Sequence, residues 1–200
     1  MSEPEDAPLV LIVLAAGAEE IETITVADLL VRGGCRVAIA GLAGMAAVAG
    51  SRGIPLAPQV AFDAVREADC AAVYLPGGVG CARACEEDPR VQRLIRDRLA
   101  RRAWLAVICA SPGALVPQGL CAGRRLTSFP AVRERLRAAG AQWVDAPVVI
   151  DDRLITSQSA GTAMAMGLTL IGCLRSPQAA EAVAAQIIAP GCVRAVPPPP

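Results

Sequence analysis

The chain has 200 residues, enough for one domain with a sizeable core, and 54% of them are apolar. Its 19 basic residues, all arginine, balance 19 acidic ones, and only five residues are Phe, Trp or Tyr, so neither phosphate attraction nor base stacking points to nucleic acid. No apolar run reaches the length of a membrane span, and the absence of histidine removes the commonest general base and metal ligand.

The acidic segment Met1–Pro8 lacks the basic start of a secretory signal, so a disordered extension and a cytoplasmic location are expected. Leu9–Leu14 is a continuous apolar run, as in a central parallel strand covered on both faces. A helix over Glu20–Arg32 follows, with Ile21, Ile24, Ala27, Leu29 and Leu30 at helical spacing and Gly33-Gly34 as its stop. Cys35–Ala40 completes a strand–helix–strand start. Met45–Pro58 reads as a short strand pair, Phe62–Glu67 as a brief helix, and Ala71–Leu75 as a buried strand ending in Pro76-Gly77-Gly78. Asp88-Pro89 opens a helix through Val91, Leu94, Ile95 and Leu99 whose arginines are expected on the outer face. Trp104–Ile108 is a strand that passes abruptly through Cys109 into a helix over Pro112–Val116. Val148–Ile150 and Leu154–Ser157 form a hairpin, and Gly161–Leu174 and Pro177–Ile188 are the closing helices. A domain over residues 9–190 precedes a Pro-rich tail over 191–200.

This alternation predicts an α/β, doubly wound, mostly parallel sheet with helices on both faces. Ligands of such folds bind beyond the carboxyl ends of the strands, where Gly17–Glu22, Pro76–Gly78 and Cys109–Pro112 converge. Eight cysteines in a long apolar chain do not read as a disulfide framework. Cys35, Cys70 and Cys173 read as core residues. Cys81 and Cys85, neighbours on a helix, lack the further ligands of a zinc site and are expected at the surface. Cys109 is different, because a strand-to-helix turn presents its side chain and a helix start should acidify the thiol. The amides of Gly78 and Ala110 then form an oxyanion hole, and a carboxyl from Glu19, Glu20 or Glu22 is the available acid–base group.

Taken together, Gly17-Ala18-Glu19-Glu20-Ile21-Glu22-Thr23, Ser51-Arg52-Gly53, Leu75-Pro76-Gly77-Gly78, Val107-Ile108-Cys109-Ala110 and Thr156-Ser157-Gln158 resemble the ThiJ/PfpI superfamily. Asp28–Gly34 and Phe129-Pro130 look especially like YajL, in the branch that also holds the Parkinsonism-associated redox sensor and deglycase. The resemblance implies a flavodoxin-like homodimer with Cys109 as the oxidisable nucleophile and Glu22 as the protonated carboxyl contacting it. It further implies Gly77, Gly78 and Ala110 as backbone donors, and Arg32 and Arg52 as arginines near the interface and the site. The implied activity is glyoxalase or deglycase chemistry on methylglyoxal or its early adducts, without cofactor or metal. Oxidative-stress sensing and chaperone action on unfolded proteins form the alternative. Ala110 stands where protease-like members carry His, so peptidase and amidotransferase chemistry fall away. Two departures stand out: Phe129 replaces a His found in some members, and Ser159-Ala160-Gly161-Thr162 replaces Gly-Pro-Gly-Thr.

Overall fold

In the computed structural model, which describes residues 6–189, the first strand β1 (Leu9–Leu14) runs straight into helix α1 (Glu20–Arg32) and back into β2 (Arg36–Gly41). An antiparallel pair, β3 (Val48–Ala49) and β4 (Pro55–Leu56), and a two-residue strand β5 (Val60–Ala61) precede β6 (Ala72–Leu75). Helices α2 (Val79–Glu87) and α3 (Pro89–Ala100) lead to β7 (Trp104–Ile108). After β8 (Arg125–Leu126), α4 (Pro130–Ala138) and β9 (Gln142–Trp143), the hairpin β10 (Val148–Asp151) and β11 (Leu154–Ser157) is followed by α5 (Ala163–Leu174) and α6 (Pro177–Gln186). The expected tail over 191–200, most of the N-terminal extension and Cys192 lie outside the described residues.

The main sheet has seven strands in the order β10-β11-β7-β6-β1-β2-β5, parallel except for the β10–β11 hairpin. Alternation along the central strands divides their side chains between two cores. Leu11, Val13, Val73, Leu75, Leu105 and Val107 face one, beneath α2, α3 and the turns after β7. Val10, Ile12, Ala72, Tyr74, Ala106 and Ile108 face the other, beneath α1, α5 and α6. Both faces are covered, which is why these strands read as unbroken apolar runs. Chain order reverses beside β1, since β2 lies on one side of it and β6 on the other. The crevice beyond the ends of β1 and β6 is therefore the switch point of the sheet.

Several local expectations are corrected. Phe62–Glu67 forms two separate 3₁₀ turns, Phe62–Ala64 and Glu67–Asp69, with extended backbone between them. The segment after Cys109 is a 3₁₀ stretch, Ser111–Gln118, whose interior Pro117 lacks the N–H that an α-helix needs there. Helix α4 and strands β5, β8 and β9 are additional. Cys81 and Cys85 are fully buried in the core beneath α2 rather than exposed, and Cys173 is only partly buried. On α1, Ile21 and Ile24 point to solvent while Val26, Leu29 and Leu30 are buried.

The arginines of α3 do not all face outward either. Arg98 is 2% exposed, and its guanidinium donates to the carbonyl oxygens of Cys70, Ala71 and Trp104 at 2.8, 2.9 and 2.9 Å and to Glu67 at 3.2 Å. It thereby ties the starts of β6 and β7 together. Replacing it strands buried carbonyls and leaves Glu67 without this partner, so Arg98→Met should cost roughly 3 kcal/mol of stability. Urea unfolding measures this loss; a midpoint equal to wild type would remove the tie assigned to Arg98.

Candidate active site

The elbow begins at the end of β7. Cys109 has φ +63°, a left-handed conformation uncommon for a side chain of this kind. Its strain, on the order of 1–3 kcal/mol, persists because the backbone is held on both sides. The Cys109 N–H donates to the Ser157 carbonyl at the end of β11 (3.0 Å), and the Cys109 carbonyl accepts from the Phe129 N–H (2.8 Å). Ser111 Oγ donates to the Pro76 carbonyl at 2.6 Å, locking the elbow to the neighbouring turn.

That turn leaves no room for side chains. A methyl group on Gly77 would lie 2.5 Å from both Cys109 Cβ and Glu22 Oε2. Gly78 has φ +84°, and a methyl group there would meet the Gly17 carbonyl oxygen at 2.1 Å. Glycine at both positions lets the turn close down on the thiol and on the start of α1.

The three glutamates of that helix start divide their work. Glu19 caps the helix, its carboxylate accepting from the Glu22 N–H at 2.8 Å. Glu20 turns outward to the β3–β4 hairpin and accepts from Ser51 Oγ (2.9 Å), the Arg52 N–H (2.7 Å) and the Ile54 N–H (3.3 Å). Glu22 alone points inward, fully buried, with Oε2 accepting from the Gly77 N–H at 2.7 Å. Its backbone carbonyl accepts from the hydroxyl of Tyr74, a core residue that no sequence motif singles out, at 3.1 Å. The Cys109 thiol lies on the same side of the turn, since a methyl group on Gly77 would lie 2.5 Å from Glu22 Oε2 and 3.1 Å from Cys109 Sγ, while Oε1 has no hydrogen-bond partner among the described residues.

Electrostatics correct the expectation of an acidified thiol. Burial first, and the Glu22 charge second, push Cys109 up to about 12; amide hydrogen bonds from Gly78 and Ala110 only partly offset this. Burial also raises the Glu22 carboxyl to about 7, against the hydrogen bond from Gly77. The short 3₁₀ start cannot outweigh removal of the sulfur from water. The pair thus forms a poised acid and base, with a carboxylate able to take the thiol proton as sulfur attacks.

Of the residues expected here, Cys109, Glu22, Gly77, Gly78 and Ala110 come together. Gly77, however, holds Glu22, so the N–H groups facing sulfur are those of Gly78 and Ala110. Arg32 does not join them: it closes the far end of α1, ten residues from Glu22 or roughly 15 Å along the axis, in an ion pair with Asp28 (2.6 Å). Arg52 lies exposed in the hairpin that Glu20 holds. The Ser159–Thr162 turn is closed by the Thr162 hydroxyl, which accepts from the Ser159 N–H at 3.0 Å and donates to the Ser159 carbonyl at 2.8 Å. Among the described residues there is no group of three or more potential metal ligands, and no helix is long and apolar enough to cross a membrane.

The DJ-1/PfpI family model matches residues 9–172. A Danio rerio protein, Parkinson disease protein 7 homolog, is 34% identical over 180 residues, covering 89% of this chain and 95% of the relative. The Caenorhabditis elegans glutathione-independent glyoxalase DJR-1.2 is 34% identical over 161 residues, covering 80% and 85%. The crystal structure of Drosophila melanogaster DJ-1beta superposes with a TM-score of 0.86 at 36% identity, covering 91% of this chain and 98% of that one. These relatives mark the DJ-1 branch in general and do not single out its bacterial YajL-like members.

A carboxyl raised by burial destabilises the fold once it must ionise. Between pH 4.5 and about 7 the unfolded chain loses the Glu22 proton while the folded one keeps it, so this group's contribution to stability falls as pH rises. Its full span is roughly 3 kcal/mol. Glu22→Gln should therefore melt near wild type at pH 4.5 and clearly higher at pH 8. Equal melting temperatures at both values would show that Glu22 ionises normally.

Proposed function

The chain belongs to the DJ-1/PfpI family, and on that premise we propose that it is a cofactor-independent, cysteine-dependent enzyme of the glyoxalase or deglycase type. The reading is carried by one observation: a buried carboxyl shares the switch point with a thiol that two backbone N–H groups face.

The proposed reaction converts a 2-oxoaldehyde and water into a 2-hydroxy acid. Sulfur of Cys109 adds to the aldehyde carbon while Glu22 takes the thiol proton, and the hemithioacetal oxygen lies by the amides of Gly78 and Ala110. Glu22 returns that proton to oxygen, then takes the hydrogen of the former aldehyde carbon as a proton to leave an enediol, and delivers it to the neighbouring carbon while the hydroxyl proton passes to the former ketone oxygen. The result is a 2-hydroxyacyl thioester: the aldehyde carbon is oxidised and the ketone carbon reduced, with no external electron acceptor. Water then releases the acid and restores the thiol. Early adducts of the aldehyde on thiols, amines or guanidines enter the same sequence after releasing their carrier. Lactate is the product from methylglyoxal.

The partial exposure of Cys109 within its amide pocket also supports the alternative, a redox-sensing, chaperone-like stress protein in which peroxide takes the thiol to sulfenic and sulfinic acid. One similar solved structure, that of Toxoplasma gondii DJ-1, is of an oxidised protein. We further propose a homodimer across α1, where Ile21, Ile24 and Val31 are exposed along the helix and Ile54 is exposed on the hairpin. A cytoplasmic location completes the proposal.

Three measurements test these readings. Lactate formation from methylglyoxal should vanish in Cys109→Ser and fall by roughly 10²–10⁴-fold in Glu22→Gln, which cannot carry a proton in turn. Cys109 of Glu22→Gln should still oxidise under mild peroxide. Near-wild-type turnover in Glu22→Gln would refute the mechanism and favour the sensor. Light scattering should give twice the chain mass of 20.5 kDa; a monomer at micromolar concentration would remove the dimer.

A further inference from the structure

Two exposed side chains attached to the elbow's immediate framework are apolar, and the core does not account for either. Val79 directly follows Gly78, whose N–H faces sulfur, and as the first residue of α2 it is 81% exposed. Phe129 donates its backbone N–H to the Cys109 carbonyl at 2.8 Å, yet its side chain is 43% exposed. Large apolar groups left in water beside a reactive centre gain from being covered by what binds there.

The charged residues of the same two elements are committed elsewhere. Arg83, one turn along α2, pairs with Glu87 at 2.8 Å. Arg133, near the start of α4, pairs with Glu134 at 3.0 Å and lies over the Trp143 ring at 5.2 Å. Neither element therefore presents a free guanidinium at the elbow to hold a carboxylate or phosphate. The remaining exposed arginine of interest, Arg52, lies on the β3–β4 hairpin, which is held by Glu20.

We infer that Val79 and Phe129 form an apolar rim above Cys109 that selects carbonyl electrophiles carrying a hydrocarbon chain over methylglyoxal and over anionic aldehydes. The assignment rests on the aldehyde reading above and names its substrate class: neutral 2-oxoaldehydes with longer alkyl tails. The tail lies against the rim in both ground and transition states, so selection appears mainly in KM rather than kcat.

The test compares 2-oxohexanal, methylglyoxal and the anionic 2-oxoaldehyde 4,5-dioxopentanoate on wild type and on Val79→Ser/Phe129→Ser. A buried methylene contributes roughly fourfold, so three half-covered ones should favour 2-oxohexanal over methylglyoxal by about tenfold in kcat/KM. The double substitution should bring that ratio to within about twofold. A parallel arm needs no turnover: alkylation of Cys109 by N-hexylmaleimide relative to N-methylmaleimide, read by mass spectrometry, should show the same preference and the same collapse. A wild-type ratio near one in both arms, or preference for 4,5-dioxopentanoate, overturns the rim. Loss of all turnover with the alkylation preference intact instead overturns the aldehyde reading and leaves the rim standing.

Discussion

The hydrogen bond from the Gly77 amide to Oε2 of Glu22 is the contact on which the site depends. It joins two segments 55 residues apart, the turn after β6 and the start of α1, at the crevice where the sheet reverses its winding. The thiol enters from a third segment, at the end of β7. Only a glycine allows all three to approach, because a methyl group at Gly77 would lie within 2.5 Å of both Cys109 and Glu22. The reacting groups are thus placed by backbone, and backbone held by a seven-stranded sheet moves little.

This arrangement trades stability for chemistry. A residue with a β-carbon is held at positive φ, and a carboxyl is kept out of water with one oxygen lacking a well-formed hydrogen bond. Both features cost free energy that the two apolar cores offset. The gain is a pair whose proton affinities are moved in a useful way. The carboxyl is raised toward neutrality, where it can both accept and release a proton. Burial and the neighbouring Glu22 charge make the thiol hold its proton more tightly. Such a thiol is also less open to casual oxidation than a free thiolate.

The surroundings divide into parts with separate duties. Glu19 and Glu20, flanked by the same helix start as Glu22, are structural: one caps α1 and the other fastens the β3–β4 hairpin. Arg98 braces the opposite end of the sheet, far from the chemistry, where it satisfies three carbonyls. The exposed apolar residues, Ile21, Ile24 and Val31 on α1 and Val79 and Phe129 beside the elbow, have no such structural duty, which is why the dimer and the rim are proposed there.

The sequence by itself determined the layer order, because short unbroken apolar runs at Leu9–Leu14, Ala71–Leu75 and Trp104–Ile108, alternating with helical patterns and ending in turns, read as strands covered on both faces. It also determined where the site lies, since the Gly-rich turn and Cys109 fall at strand ends that a doubly wound sheet brings together. Helical spacing alone did not determine which of three adjacent glutamates turns inward, since residues 19, 20 and 22 have similar claims; the family resemblance singled out Glu22, and packing against Tyr74, Gly77 and Ser51 is what separates the three physically. Nor did the sequence show that Arg98 is buried, that Cys81 and Cys85 are core residues, or that the thiol is raised rather than acidified. Those outcomes depend on how much water surrounds each group, and solvent exclusion is a property of the assembled tertiary structure, set by segments far apart in the chain.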